Sequence, residues 1–247
     1  MAKNKVIKIA KRLALVSLIT AGLVGVTVEV GLRMRNYLER PVNYTLIHVK
    51  QTHALRPEEF SPASRFDKYN AQCKTLDSLE DVFNSNPIDG FYPEGVRTED
   101  CEKYNSGLRD LSERIEDPES TSISVLNAII NPTDKVQSAF AQAPAATVFS
   151  LRHNLAWNPT GTRRINEKAS AEVKRDPYTN SPIVYGDRED FLLKQISKDY
   201  PAGGTFLTLY GSNHDFSDNV DRWNETHPKR KISLVVVDGK NVERKAR

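Results

Sequence analysis

TFLTLYGSNHDFSDNVDRWNETHPKRKISLVVVD, residues 205–238, is the stretch that decides the fold. It opens with strand-forming residues, turns at Gly211 and continues with apolar residues at helical spacing. It closes on an apolar run typical of a strand that is covered on both faces. A strand, a helix and a second strand in this order predict a right-handed parallel crossover, and therefore an α/β protein.

The remaining sequence predicts further elements for the same sheet. Composition and spacing predict strands at 44–49 and in GFYPEGV, which starts at Gly90. The expected fold is a single α/β domain with a central, mostly parallel or mixed sheet flanked by helices, behind one N-terminal transmembrane helix. Residues 147–182 are expected to be irregular, and 135–182 to be a lid or an insertion. Helices are predicted at 72–84, 103–116, 121–131 (buried) and 186–199, the last capped by Asp187.

The first 40 residues resemble a membrane signal. Five basic residues precede the apolar run 13–32, which contains one charge, Glu29, and three basic residues follow it. A run of ~17–25 residues spans a bilayer, and the bias of basic residues favours a domain outside the cytoplasm. A cleaved signal peptide is the alternative, because Thr20-Ala21-Gly22 weakly resembles a cleavage site. The predicted organisation is a basic cytoplasmic N-terminus (1–12), a single-pass anchor (13–32), a stalk (33–42) and an α/β domain (43–247).

Length and charge limit the classes of function. The chain has 247 residues, of which 38% are hydrophobic and 27% charged, which favours a globular domain over disorder. Residues 1–40 hold eight Lys/Arg and two Glu, so the rest of the chain has a net charge of −3 although the whole chain is at +3. No basic stripe with interleaved aromatic residues appears in the domain, so no nucleic-acid partner is predicted. The predicted partners are the membrane and a peptide or small-molecule substrate.

Cys73 and Cys101 are the two cysteines of the chain. They form neither a CxxC pair nor a zinc-binding spacing with histidine. An exported domain permits a disulfide between them, and two unrelated thiols are the alternative. The sequence does not choose between the two.

Side chains that can carry chemistry follow the predicted strands. His53 and His214 each lie four residues past a predicted strand end, and Glu94 follows the strand GFY. Ligands of open α/β sheets bind beyond the carboxyl ends of the strands. Arg188, in the first turn of the helix 186–199, can reach the same edge. These four residues are the candidate site.

Each candidate also has an ordinary structural interpretation. His214 would cap a helix or face solvent, and Glu94 would be a loop acid. Arg188 would form a surface ion pair with Glu189 or Asp190, which contributes little to stability. The reserve candidates are His48, which projects from a strand to one face, His153 and His227.

Together, these residues resemble the superfamily that contains the Tiki and TraB proteins, the erythromycin esterases and the haem-uptake protein ChaN. Its hallmark is two Gly-x-x-His motifs after strands, with a Glu and an Arg between them. Gly211-Ser-Asn-His214 matches the second motif, DREDFLLKQI resembles the Arg-containing helix, and Glu94 in FYPEGV resembles the acid. The first motif departs from the superfamily pattern, because Lys50-Gln-Thr-His53 has Lys where Gly is usual. His48 is the alternative candidate for the first histidine. The resemblance covers about 44–237.

The resemblance implies cleavage of a peptide or ester bond. In Tiki-like members it implies a divalent metal (Mn, Co or Zn) on His53, His214 and Glu94 that activates water. Glu94 would also be able to act as the general base, and Arg188 would stabilise the oxyanion. The erythromycin esterases imply a metal-free version in which a His or Glu is the base. No G-x-S-x-G or H-E-x-x-H motif is present, which disfavours serine hydrolases and zincins.

Two alternatives to hydrolysis stay open. ChaN-like members imply haem binding, which needs an exposed His or Tyr beside an apolar platform. The second alternative is a catalytically inactive, membrane-anchored binding domain, which the departure at Lys50 favours.

Overall fold

The strand TFLTLY lies beside the first strand of the domain in a five-stranded sheet of the computed structural model. The structure describes residues 41–51, 62–130, 135–175, 185–239 and 241–245. The strands are β1 (Val42–Gln51), β2 (Gly90–Pro93), β3 (Gly204–Gly211), β4 (Arg230–Asp238) and β5 (Asn241–Lys245). They lie in the order β2-β3-β1-β4-β5.

Four of the five strands are parallel. β1 pairs with β3 on one side and with β4 on the other, and β2 pairs with β3, all in parallel. β5 is antiparallel to β4, which makes the sheet mixed. This confirms the predicted α/β class with a mostly parallel or mixed sheet. The parallel relation predicted for the two strands of 205–238 is also confirmed, with β1 between them.

Helices cover both faces of the sheet. One face packs under the helices before residue 160, through Val49, Phe91 and Leu207. The other packs under the last two helices, through Leu46, Phe206 and Leu234. The described helices are α1 (Pro62–Ser85), α2 (Cys101–Glu113), α3 (Ile123–Ile129), α4 (Lys135–Gln142), α5 (Pro144–His153), α6 (Arg163–Arg175), α7 (Gly186–Asp199) and α8 (Ser217–Thr226).

Helix α7 has the bounds that the sequence predicts, because its apolar residues recur at helical spacing. Leu192, Leu193 and Ile196 form a stripe that is buried against the sheet. The predicted cap is wrong: Tyr185 occupies the N-cap without a side-chain cap bond, and Asp187 lies in the first turn. An acid in that position still interacts favourably with the positive end of the helix dipole.

The prediction of irregular structure at 147–182 is wrong for most of its length. α5 lies in the core, and every residue from Pro144 to Leu151 is buried, so it has no polar face to reveal its period. α6 is polar on nearly all sides, and Ala169 is its one buried residue. α5 shows no amphipathic pattern, whereas α6 carries a narrow apolar stripe, Ile165, Ala169 and Val173, that predicts a helix and was overlooked. Because α4 and α5 contribute Val136, Phe140 and Phe149 to the core, 135–153 is not a lid, and its being an insertion stays a prediction.

Two further elements differ from what the sequence predicts. The helix predicted at 121–131 is shorter and lies at the surface, where Val125 is 45% exposed. β5 was not predicted, because it is an exposed edge strand with one apolar residue, Val242. Its partner strand β4, predicted to be covered on both faces, is fully covered on one face only. On its other face Ser233 is exposed and Val235 is half-buried.

The cysteines do not pair. Cys73 and Cys101 are both free thiols, and the Cys101 thiol donates to the Trp157 carbonyl at 3.0 Å. Among the described helices, none has the length and apolar character needed to cross a membrane. The predicted anchor, 13–32, lies outside the described residues, so the anchor and the extracytoplasmic location stay predictions.

Candidate active site

Glu94 and the turn after β3 meet at the carboxyl edge of the sheet because β2 and β3 are parallel neighbours. The backbone N–H of Glu94 donates to the Leu209 carbonyl at 2.9 Å, which continues the ladder beyond β2. Its side chain then reaches across to β3, where Oε2 accepts a hydrogen bond from the Gly211 N–H at 2.9 Å. The glycine of the Gly-x-x-His motif thus holds the acid through its backbone.

Arg188 forms a largely buried ion pair with Glu94. Its Nη2 lies 2.7 Å from Glu94 Oε1, and the two side chains are 13% and 9% exposed. The guanidinium also stands over the Tyr210 ring, 5.7 Å from its centroid. The first turn of α7 therefore delivers a cation to the strand ends, as the sequence predicted. A pair with this little exposure is screened far less than a surface ion pair.

His214 lies between two carboxylates. Its Nδ1 is 2.8 Å from Glu189 Oε1, and its Nε2 is 3.4 Å from Glu94 Oε1. The rings of Tyr185 and Tyr210 approach the imidazole edge-on, with centroids 4.9 and 4.7 Å away. The histidine is 2% exposed, so it neither caps a helix nor faces solvent.

Glu189 is the site residue that sequence reasoning missed. The sequence treated it as a surface partner of Arg188, yet it is 2% exposed and bonds to His214. The available clue was helical spacing, because Glu189 precedes Leu192, Leu193 and Ile196 on the buried stripe of α7. A charged residue on such a stripe is rare unless it has a partner.

Charge balance sets the protonation of the cluster. Burial favours the neutral imidazole of His214, but the bonds to Glu189 and Glu94 outweigh it and raise the pKa of His214. Burial likewise opposes the charge on Arg188, and Glu94 raises the pKa of that guanidinium. Two carboxylates, one guanidinium and one imidazolium together are neutral, which suits a buried site.

Glu189→Gln is expected to flatten the pH dependence of stability above pH 6.5. A histidine whose pKa is raised by folding stabilises the protein fully below its unfolded pKa of about 6.5, and this stabilisation is lost as pH rises through the folded pKa. In the parent, the free energy of unfolding should therefore fall above pH 6.5. Urea unfolding from pH 6 to 9 measures the slope, with Glu167→Gln on the exposed side of α6 as the control. An unchanged slope would show that Glu189 does not hold the proton on His214.

The structure does not test the histidine of the first Gly-x-x-His-like motif, His53. His53 lies outside the described residues, so its place in the site stays a prediction. β1 runs to Gln51, two residues beyond the predicted end. Lys50, which replaces the expected glycine, forms a surface ion pair with Asp238 at 3.7 Å.

His48, the fallback, lies beside the cluster but is sealed in the core. It is fully buried between the rings of Tyr210 and Phe216, with centroids 6.4 and 5.0 Å away. Neither ring nitrogen makes a hydrogen bond of good geometry. Burial, followed by the positive charges of His214 and Lys50, lowers the pKa of His48 to about 4.

The reserve histidines serve helix packing. His153 Nε2 bonds to Glu80 Oε2 at 2.6 Å, and its ring lies on Phe83, which ties α5 to α1. His227 stacks on Trp223 with centroids 3.9 Å apart at the end of α8. Neither contacts the residues around Glu94.

Two adjoining pockets open onto the Glu94–Arg188 pair. The first, called the Trp157 pocket, has a volume of about 270 Å³ and includes Gln51, Glu94, Gln142 and Arg188 in its lining. The second, called the Lys174 pocket, has a volume of about 380 Å³ and lies against α6. Gly95 and Arg188 line both. Gly95 has φ +89, a left-handed conformation that favours glycine, and a Cβ there would stand in open space.

A larger groove lies away from this edge. It has a volume of about 600 Å³ and separates α1 from the outer strands, with Val82 and Val237 in its lining. Asp81 is its one titratable lining residue. The groove therefore lacks the converging charged groups expected of a catalytic site.

The described side chains do not by themselves fit the metal that the resemblance implies. Within the described residues, no group of three or more His, Cys, Asp or Glu is arranged to hold a metal ion. Arg188 already binds Glu94 Oε1, Gly211 binds Oε2, and Glu189 binds His214 Nδ1. A divalent cation on Glu94 would stand against the guanidinium. The metal on His53, His214 and Glu94 stays a prediction, and no step below depends on it.

Comparison with known proteins finds no matching family model, no matching curated protein and no matching solved structure. Membership of the Tiki, esterase and ChaN superfamily therefore stays a prediction.

Proposed function

We propose that this chain is a hydrolase that cleaves an ester or peptide bond with Glu94 as the general base. The observation that carries the proposal is the convergence of Glu94, Arg188 and His214 from separate strand and helix ends onto one edge. Arg188 lines both pockets and Glu94 lines the Trp157 pocket, whereas His214 and Glu189 line neither. Buried, paired charges beside a cleft are typical of catalytic sites.

Each residue has a role that follows from its contacts. Glu94 takes a proton from water, whose oxygen attacks the carbonyl carbon. Arg188 stabilises the resulting oxyanion; its Nε–H makes no hydrogen bond to a described residue. When the tetrahedral adduct collapses, the bond to the leaving group breaks and Glu94 returns its proton to that group. His214 acts through Glu94 as a positioning residue, since its imidazolium holds the carboxylate in place.

The alternative functions have less support. His48 and His214 are both buried, so neither of these two histidines is available as an axial ligand for haem. An inactive relative would show the candidate residues dispersed, but Arg188 and His214 each lie within ion-pair distance of Glu94.

Arg188→Lys is expected to lower kcat by roughly 10²–10³-fold on p-nitrophenyl esters, because Lys keeps the charge but loses the planar fork that binds the oxyanion. The full chain is assayed on esters and on a fluorogenic peptide, with Arg109→Lys as the matched control. Arg109 is 61% exposed and pairs with Glu102 on α2. Equal rates in the two variants, or no hydrolysis by the parent, would overturn the proposal.

The same assay decides the role of a metal. Activity that survives EDTA supports the metal-free path through Glu94. Activity that EDTA abolishes and Mn, Co or Zn restores would replace that path with the metal site that the resemblance implies. Haem is titrated into any preparation that hydrolyses nothing, and a Soret band that depends on the chain would favour the ChaN-like alternative.

A further inference from the structure

We infer that the Lys174 pocket binds an anionic group of the substrate, so that the hydrolase prefers esters or amides that carry a carboxylate or phosphate arm. The inference rests on the proposed function, because it assigns one side of the cleft to one part of the substrate. The sequence alone does not indicate this pocket, because irregular structure is predicted over the residues that form α6.

The lining of this pocket is asymmetric in charge. Lys174 and Arg188 are its two charged residues, and no carboxylate is among its described lining residues. Glu94 instead lines the Trp157 pocket, on the other side of Arg188. Because Glu94 compensates the charge of Arg188, the positive charge on this side of the reacting pair comes from Lys174. An anionic group placed there would be attracted, and a cationic group repelled.

Helix α6 supplies hydrogen-bonding groups as well as charge. Asn166, Ser170 and Lys174 recur every four residues, so they share the face of α6 that borders the pocket. Among the described residues, Lys174 has no carboxylate partner. The neighbouring acid Glu172 pairs instead with Arg175. An ammonium with an amide and a hydroxyl beside it can bind a carboxylate or a phosphate oxygen.

The size of the pocket limits the arm. About 380 Å³ accommodates a short chain of a few carbons with its anionic end, and Ala169 and Val173 supply apolar contact for such a chain. Gly95 lines both pockets and has open space where a Cβ would stand, so no side chain at position 95 narrows either pocket.

The test compares an anionic and a neutral ester of similar length, mono-p-nitrophenyl glutarate and p-nitrophenyl butyrate, on the full chain. Lys174→Glu is expected to raise the KM for the glutarate ester by roughly tenfold or more, with kcat and the butyrate kinetics unchanged. Lys174→Arg should retain the preference. The matched control is Lys168→Ala, an exposed lysine on the same helix that does not line the pocket.

A separate binding experiment tests this inference independently of the proposed hydrolase activity. Glutarate, inorganic phosphate and neutral glutaramide are titrated calorimetrically into the parent and the variants. Binding of glutarate or phosphate that Lys174→Glu abolishes and Lys168→Ala preserves supports the pocket, even if the parent hydrolyses nothing. The anion that binds more tightly shows whether the pocket is built for a carboxylate or for a phosphate group. Hydrolysis with equal KM changes in Lys174→Glu and Lys168→Ala, and no anion binding, would overturn the inference and leave the hydrolase standing.

Discussion

Glu94→Gln is expected to lower kcat on any hydrolysed ester by roughly 10²–10⁴-fold, because an amide cannot accept the proton of the attacking water. The change also disturbs the site electrostatically. A glutamine oxygen can accept from the Gly211 N–H or from Arg188 but not from both, and its NH₂ then faces the remaining donor. A loss of stability of about 1–3 kcal/mol should accompany the loss of activity.

Glu94→Ala should be the more severe variant for stability. It leaves the Arg188 guanidinium buried without its carboxylate, for which removal of one partner typically costs about 3–5 kcal/mol. It also removes one of the two carboxylates beside His214, so the pKa of that imidazole should fall towards its ordinary value.

Urea unfolding and steady-state kinetics measure the two effects separately. Glu102→Gln is the control, because Glu102 is 83% exposed and pairs with a surface arginine on α2. Its stability and kcat should match those of the parent. A Glu94→Gln variant that is folded by circular dichroism and retains its kcat would exclude Glu94 as the base, whatever its effect on stability.

The sequence predicted that Glu94 and the turn at Gly211 follow strand ends, but not the strand order that makes β2 and β3 neighbours. Once β2 and β3 are neighbouring parallel strands, Glu94 and Gly211 must meet, and a strand–turn–helix pattern is visible without a structure. Arg188 followed from the bounds of α7, which its apolar spacing defines. These inferences succeeded because parallel pairing and helical period are regular, so a few residues fix the position of many.

Other features were not predicted, and several of them depend on tertiary packing. Glu189 looked like a surface acid, and only its burial beside His214 shows its role. α5 is buried on all sides and displays no period, whereas the stripe of Ile165, Ala169 and Val173 on α6 was visible in the sequence and was overlooked. The Lys174 pocket depends on how α6 lies against Gly95 and Arg188, which local sequence does not encode.

His48→Leu is expected to make the protein more stable at acid pH, by about 3 kcal/mol relative to the parent near pH 4. The folded pKa of His48 is about 4, below its ordinary value of 6.5. Between these values the unfolded chain binds a proton that the folded chain does not, so the free energy of unfolding rises with pH. That stabilisation is present above pH 6.5 and is lost as pH falls through 4. Leucine removes the titration, and it also removes two buried nitrogens without partners.

His48 and His214 change the free energy of unfolding in separate ranges of pH, so their effects can be measured independently. His48 lowers stability below pH 6.5 because its pKa is depressed, and His214 lowers it above pH 6.5 because its pKa is raised. Urea unfolding of the parent should therefore show a maximum near pH 6.5. In His48→Leu only the acid limb should flatten, whereas His227→Gln, at an exposed histidine, should change neither limb. An acid limb that survives in His48→Leu would mean that carboxylates cause it, and that the core histidine is protonated as easily when folded as when unfolded.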